Sequence, residues 1–245
     1  MMNKKIILTG LILAISFGVH AQNWWGSGKK IKGNGNVITK TRTTQSYDGV
    51  GIGGNFDVNL IQGAEGKITI KAEENIIPYI VTEVEGNTLQ IKYKKNTNVR
   101  NTKRITITVP YTDIEKVSLG GSGNITNTGT IKSNDFKVSL GGSGNITLTV
   151  DANEVKSSIG GSGNIKLSGN SNEINCSIAG SGSIKAYDLK TDILTASIAG
   201  SGSIKSTVKT KIKARVVGSG SIYYKGNPTH IDSKSVGSGD VIDRN

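Results

Sequence analysis

The sequence GGSGNI at residues 120–125 decides the fold, because close copies of it return throughout the second half of the chain. Its Gly-Ser-Gly core occurs seven times, with steps of 21, 19, 19, 20, 18 and 19 residues between successive copies. A nearly constant period of this length indicates a repeat architecture in which each unit packs against the next. The first glycines of the seven copies are Gly121, Gly142, Gly161, Gly180, Gly200, Gly218 and Gly237.

Aligning the copies on these glycines produces columns of similar residues at alternate positions. Two positions before the first glycine stand Leu119, Leu140, Ile159, Ile178, Ile198, Val216 and Ser235. Four positions after it stand Ile125, Ile146, Ile165, Ile184, Ile204, Ile222 and Val241. Alternating apolar residues predict strands with one buried face, and the repeated glycines and β-branched residues disfavour helices.

The sequence therefore predicts an all-β protein whose residues 111–245 form a right-handed parallel β-helix. Each rung, meaning one full turn of this solenoid, takes about 19 residues and stacks about 4.8 Å from the next. Glycine suits the sharp corners, because it reaches φ > 0 and leaves room where a Cβ would clash. The third residues of the tripeptides complete the predicted corners: Gly123, Gly144, Gly163, Gly182, Gly202, Gly220 and Gly239.

The first half of the chain predicts an atypical portion that caps the repeats. Residues 45–110 alternate with period two, and residues 53–56 resemble a degenerate copy of the corner. A short helical turn fits residues 73–80, where Pro78 limits its length. Residues 22–44 predict an irregular lead-in, whose Trp24 and Trp25 either cover an end of the fold or bind a ligand.

The N-terminus predicts export. Lys4 and Lys5 precede an apolar run that ends near Ala21, which is the pattern of a signal peptide over residues 1–21. The formal net charge of the whole chain is +12, which favours anionic glycan or lipid headgroups over neutral partners. Nucleic acid is not expected as a partner of an exported protein. We expect a location in the periplasm, on the outer surface or in the medium.

The repeats also carry a resemblance to a known family. GGSGNI at 120–125, 141–146 and 160–165, followed by AGSGSI at 179–184 and 199–204, resembles the GIN-domain family of putative auto-transporter adhesin head domains. The resemblance extends from about residue 46 to about residue 240. It implies a secreted, Bacteroidetes-type β-helix protein with a role in adhesion.

Catalytic and metal-binding residue patterns are sparse. Cys176 is the single cysteine, so no intrachain disulfide forms, and its thiol is either buried and inert or reactive. His230 is the only histidine after residue 21, and we expect a surface imidazole there rather than a catalytic base. The sequence predicts no catalytic residue, no metal site and no cofactor.

An acidic column leaves two interpretations open. Asp135, Glu154 and Glu173 lie seven residues before successive corners and would stack on one outer face. Three carboxylates could bind calcium, but lysines two residues further along the same face favour a ladder of ion pairs. Those lysines are Lys116, Lys137 and Lys156.

A column of lysines provides the candidate binding surface. Lys166, Lys185 and Lys205 follow the corner by five residues and point outward beside buried isoleucines. Stacked like charges repel one another, so such a column attracts anionic glycan or lipopolysaccharide. The alternative is a solvated face that only discourages aggregation.

The sequence favours a non-enzymatic, exported adhesin or binding module. One alternative is a carbohydrate-active enzyme, which would need acidic residues gathered in a groove with long loops. A second alternative is a structural protein of envelope assembly that pairs through the end of its solenoid. A glycan or another cell-surface component is the expected partner, and an oligomer is compatible with the pattern.

Overall fold

The computed structural model describes residues 28–245. The predicted signal peptide at residues 1–21 and the predicted roles of Trp24 and Trp25 lie outside the described residues. Within them, the strands are β1 (Lys29–Lys32), β2 (Val37–Thr43), β3 (Gly49–Gly54), β4 (Asp57–Gln62), β5 (Lys67–Glu73), β6 (Ile80–Glu85), β7 (Thr88–Tyr93), β8 (Thr97–Arg100), β9 (Thr106–Tyr111), β10 (Lys116–Gly121), β11 (Asn124–Thr128), β12 (Ile131–Gly142), β13 (Asn145–Gly161), β14 (Asn164–Gly180), β15 (Ser183–Gly200), β16 (Ser203–Gly218), β17 (Ser221–Lys225), β18 (His230–Val236) and β19 (Val241–Asp243).

The second half of the chain winds into a parallel β-solenoid, as the period predicts. Strands β12 to β15 each pair in parallel with the strand one rung further along, over most of their length. Strand β16 pairs in parallel with both β17 and β18. This register places corner on corner: Gly142 lies opposite Gly161, which lies opposite Gly180 and then Gly200. The all-β, stacked-rung fold is therefore confirmed.

The core runs along the axis of the solenoid. The isoleucines four positions after each corner, from Ile125 to Ile222, have no exposed surface. Other inward positions of the same strands bury smaller residues, including Cys176 and Ser157. Ile231 belongs to an inward column but remains 43% exposed, because it lies in β18, at the last rung of the stack.

The corner glycines are required for two different reasons. Gly161 has φ of +132°, and a Cβ there would lie 2.4 Å from the carbonyl oxygen of Gly142. Gly163 has no such φ, but its Cβ would lie 2.3 Å from the carbonyl oxygen of Gly144. The first glycine of each corner therefore satisfies a backbone requirement, and the third satisfies a requirement for space.

A ladder of amides follows the corner. Asn164 Nδ2 donates to Asn145 Oδ1, and Asn145 Nδ2 donates to Asn124 Oδ1, both over 3.0 Å. Asn124 Nδ2 in turn donates to Asp57 Oδ1 over 2.6 Å. Each amide can donate to one rung and accept from the other, so the ladder links the repeats to the first half of the chain.

The first half continues the stack and then closes it. Strands β3 and β4 pair in parallel with β10 and β11, which places Gly53 and Gly54 opposite Gly120 and Gly121. Residues 53–56 are thus a degenerate corner, as predicted. Strands β7 and β9 add one more parallel layer on β3 and β4. The remaining pairs are antiparallel, including β2 with β5 and β6 with β7. A 3₁₀ turn at Ile77–Tyr79 occupies the predicted helical segment, while the division of the chain near residue 110 stays a prediction.

The predicted irregular lead-in at residues 22–44 is wrong for its described part. Strand β1 pairs in parallel with β8, and β2 pairs with β5 along seven residues. The side chains of β2 are nearly all exposed. A strand without a buried face lacks the apolar alternation that identifies strands in a sequence, and here the partner strand supplies the order.

We predict that Gly161→Ala lowers the free energy of unfolding by about 2–4 kcal/mol, through strain at positive φ and the contact with the rung below. Gly160→Ala is the matched control, because a Cβ there meets no atom within 4 Å and the same column holds Ala179 and Ala199. We expect the control to stay within about 0.5 kcal/mol of the unsubstituted protein. Urea unfolding followed by circular dichroism measures both, and equal losses would contradict this account of the corner.

Candidate functional site

The predicted lysine column is in register on the outer surface. Lys166 lies opposite Lys185, and Lys185 lies opposite Lys205. The next position along the column is Tyr223. The neighbouring inward side chains are buried isoleucines, so the ammonium groups project from a rigid base at the spacing of successive rungs.

The environment of the three lysines differs along the column. Lys166 Nζ lies 3.2 Å from Asp188 Oδ2, in an ion pair whose two side chains are both more than half exposed. Lys205 Nζ lies 5.7 Å from the centre of the Tyr223 ring. Lys166 therefore has a carboxylate beside it, although an exposed pair of this kind contributes little to stability.

A β-bulge explains why sequence reasoning missed Asp188. Between Lys166 and Ser168 on β14 lies one residue, whereas two residues lie between their partners Lys185 and Asp188 on β15. The extra residue turns Asp188 toward the outer surface beside Lys166, and it accounts for the 20-residue step between Gly180 and Gly200. The unequal step is visible in the sequence, but it does not say where within the rung the extra residue lies.

The column leads to a recess that the sequence did not single out. The recess has a volume of about 530 Å³ and is lined by Tyr187, Ser203, Lys205, Tyr223, Lys225 and Arg244. Lys205 is its only member among the predicted binding residues. Ser203 directly follows the corner at the start of β16. Tyr187 lies beside the bulge, and the remaining three residues lie in the last described rungs, where the repeat pattern is least regular.

The acidic column is also in register, with Asp135 opposite Glu154 and Glu154 opposite Glu173. A single ion pair of the expected ladder forms among the described residues, between Lys156 Nζ and Glu154 Oε2 at 2.8 Å. The amide nitrogen Nδ2 of Asn175 donates hydrogen bonds to both Glu154, over 2.7 Å, and Glu173, over 3.2 Å. An amide therefore replaces a lysine in the third rung and holds two carboxylates at once.

The candidate nucleophile Cys176 is buried in the core, and the candidate base His230 is exposed on the surface. Burial raises the pKa of the Cys176 thiol to about 12, so its reactive thiolate is scarce at neutral pH. His230 lies on the exposed edge of β18 opposite Lys211. Within residues 28–245, no group of three or more His, Cys, Asp or Glu side chains is arranged to hold a metal ion.

Glu73 is a buried carboxylate that the sequence did not reveal. It accepts hydrogen bonds from the backbone nitrogens of Gly35 (2.7 Å) and Thr102 (2.8 Å) and from the Thr102 hydroxyl (2.7 Å). Lys103 N donates a further, longer bond of 3.2 Å. Burial alone would raise the pKa of Glu73, but these donors outweigh it and lower the pKa to about 2. The charged carboxylate thus fastens two loops of the first half to β5.

The sequence matches the model of a family described as "Putative auto-transporter adhesin, head GIN domain" over residues 46–228. No curated protein is significantly similar to the sequence. In the described part of the chain, no helix is long and apolar enough to cross a membrane. The matched range contains every strand from β3 to β17 and six of the seven Gly-Ser-Gly corners.

Solved structures from Bacteroides and Parabacteroides share the fold. A putative adhesin from Bacteroides fragilis NCTC 9343 is 25% identical with a TM-score of 0.83, covering 87% of this chain and 100% of its own. A putative lipid binding protein from Parabacteroides distasonis ATCC 8503 is 29% identical with a TM-score of 0.75, covering 89% of this chain and 100% of its own. A putative adhesin from Parabacteroides merdae ATCC 43184 is 26% identical with a TM-score of 0.70, and the coverage is again 89% of this chain and 100% of its own.

We predict that Glu73→Gln lowers the free energy of unfolding at pH 7 by about 1–3 kcal/mol, because the amide accepts fewer hydrogen bonds than the carboxylate. The folded state depresses the pKa of Glu73, so its contribution is present above the ordinary value near 4.5 and is lost as the pH falls through about 2. The difference between the two proteins should therefore shrink from pH 4.5 downward.

Denaturant unfolding at pH 7, 4, 3 and 2 tests this prediction. Glu74→Gln is the matched control, since Glu74 is exposed and accepts one side-chain bond, from Asn36. The control should change stability by less than about 0.5 kcal/mol at every pH. A loss in Glu73→Gln that is the same at all four pH values would contradict the assigned role of the carboxylate.

Proposed function

Because the chain belongs to the family of putative auto-transporter adhesin head GIN domains, we propose that it is an exported, non-enzymatic adhesin whose solenoid surface binds anionic glycan. The family and the adhesins of the same fold support an adhesin-like binding role. The family match also agrees with the resemblance read from the GGSGNI repeats. Export is supported by the signal-peptide pattern of residues 1–21 together with the family description.

The observation that carries the glycan proposal is the registered column of Lys166, Lys185 and Lys205. A linear polyanion presents acidic groups in a row, and the solenoid presents cations in a row on an inflexible base. Several weak charge contacts along one surface add to a useful affinity, because the second and third contacts form at high effective concentration. A charged row also steers a polyanion toward the surface before contact.

One relative of the same fold favours a second candidate, an anionic lipid headgroup. The structure from Parabacteroides distasonis is described as a putative lipid binding protein. The same lysine column would attract headgroup phosphates, so the charge alone does not separate the two ligands. We favour glycan because the cations follow the long axis of the stack, which matches a chain of acidic sugars.

We predict that Lys166→Ser, Lys185→Ser and Lys205→Ser together weaken binding to an immobilised sulfated or uronate-rich glycan by about tenfold. The estimate assumes about 0.5 kcal/mol for each exposed charge contact. The control replaces Lys40, Lys67 and Lys132, which are exposed and scattered, by serine and removes the same charge. Biosensor binding at low and at 0.15 M salt measures both variants.

The outcomes separate the candidate functions. Weaker binding in the column variant alone supports the proposal. Equal weakening in both variants would show that binding depends on the net charge of the protein and not on the lysine column, which contradicts the proposal. Binding of the unsubstituted protein to phosphatidylglycerol vesicles, with none to any anionic glycan, would favour the lipid candidate. No binding to either surface would overturn the proposed function.

A further inference from the structure

Two tyrosine rings hold three cations at the end of the lysine column. Lys205 Nζ and Arg244 Cζ lie 5.7 Å and 5.1 Å from the centre of the Tyr223 ring. Lys225 Nζ lies 5.2 Å from the centre of the Tyr187 ring. Each distance is within the range in which a cation is attracted to the electron-rich face of an aromatic ring.

Two lysines flank Tyr79 in the first half of the chain in a similar way, but several other cations are placed differently. Lys156, Lys166 and Arg215 each lie beside a carboxylate, which offsets part of their charge. Lys205, Lys225 and Arg244 make no ion pair with any residue from 28 to 245. A ring attracts a cation through its quadrupole and carries no net charge, so the recess holds its cations in place and keeps three positive charges.

The backbone fixes the positions of these side chains. Lys205 lies directly opposite Tyr223, and Thr207 lies opposite Lys225. Arg244 is held on both sides: its own nitrogen donates to the Tyr224 carbonyl over 2.8 Å, and the side chain of the next residue, Asn245, bonds both backbone groups of Gly226. Tyr187 lies on the outer face of β15, in the irregular stretch between the paired residues Ala186 and Lys190, and its ring comes within 5.2 Å of Lys225 Nζ.

From this geometry we propose that the recess is an oxyanion site for a sugar that carries a sulfate or phosphate ester. Arginine presents a planar fork that matches the oxygens of such a group, and two lysines add charge from neighbouring rungs. The Ser203 hydroxyl lines the same recess and shares a hydrogen bond of 2.9 Å with the Ser183 hydroxyl, so it can donate to a ligand when Ser183 is the donor of that bond. A volume of about 530 Å³ lies within the range of small-molecule sites and accommodates one substituted sugar ring.

The inference rests on the proposed function and deepens it, because it names the acidic group and the place where the polymer is anchored. The lysine column supplies general attraction along the chain of sugars. The recess supplies a fixed set of donors, and preorganised donors bind more tightly because little freedom is lost on binding. Carboxylated glycan should therefore bind more weakly than sulfated glycan of similar charge density.

The test uses the purified protein with heparin oligosaccharides as the sulfated probe, by isothermal calorimetry in 0.15 M salt. Chondroitin sulfate and oligogalacturonate, which carry equal charge per sugar, are the matched sulfated and carboxylated pair. We expect Lys225→Gln with Arg244→Gln to weaken heparin binding by about tenfold or more. Both residues are exposed and lie outside the Lys166, Lys185 and Lys205 column. Lys67→Gln with Lys132→Gln removes the same charge elsewhere and should change binding by less than about twofold.

A second variant tests the aromatic support without changing the charge. Tyr223→Leu keeps apolar bulk but removes the ring that holds Lys205 and Arg244, and we expect heparin binding to weaken by about threefold or more. Its thermal midpoint shows whether the rung is still folded. Tyr79→Leu is the matched control, since Tyr79 likewise lies beside two lysines but on the first half of the chain.

The outcomes distinguish this inference from the function on which it rests. If the unsubstituted protein binds heparin and the double variant binds it equally well, the oxyanion site is overturned while the glycan adhesin stands. Equal affinity for chondroitin sulfate and oligogalacturonate would overturn the assignment to an ester group. If the unsubstituted protein binds none of these glycans, both proposals are wrong. Selective loss of heparin binding in the double variant supports both.

Discussion

The close stacking of corner on corner is the constraint on which the rest of the structure depends. A Cβ at Gly161 would lie 2.4 Å from the carbonyl oxygen of Gly142, and the same approach recurs at the corners above and below. Stacked glycines let successive rungs keep one register. A slip of one residue would turn every inward isoleucine outward, so the corners and the apolar columns enforce the same alignment.

A fixed register brings identical side chains together, which suits some chemistries and strains others. Asparagines form a continuous ladder, because each amide both donates and accepts. Carboxylates repel, and Lys156 and Asn175 relieve the repulsion at Glu154 and Glu173. Lysines meet a carboxylate at one end of their column and an aromatic ring at the other. Of these two neighbours, only the aromatic ring leaves the full positive charge of the lysine available to a ligand.

The sequence predicted the parts of the protein that repeat and missed those that do not. Period and column identity indicated the corners, the inward isoleucines and the degenerate corner at residues 53–56. The Glu73 contacts join segments about 30 to 40 residues apart in sequence, so no local sequence pattern predicts them. Strand β2 has no buried face to give a period. The lysine column itself was predicted, but its partner Asp188 and the recess were not, because a bulge changes which side chain faces outward.

The difference between repeating and non-repeating parts also explains how a uniform solenoid can become specific for one ligand. A regular column of cations offers the same contact at every rung, so it can attract a polyanion in many registers but prefers none of them. The irregular pairing of β15 with its neighbours interrupts that uniformity where Tyr187 and Lys225 meet from different rungs. Arg244, whose backbone is bonded to Tyr224 beside them, adds a forked donor. A single irregular recess on a regular surface therefore turns general attraction into a defined point of attachment, and the regular rungs give that recess its rigid base.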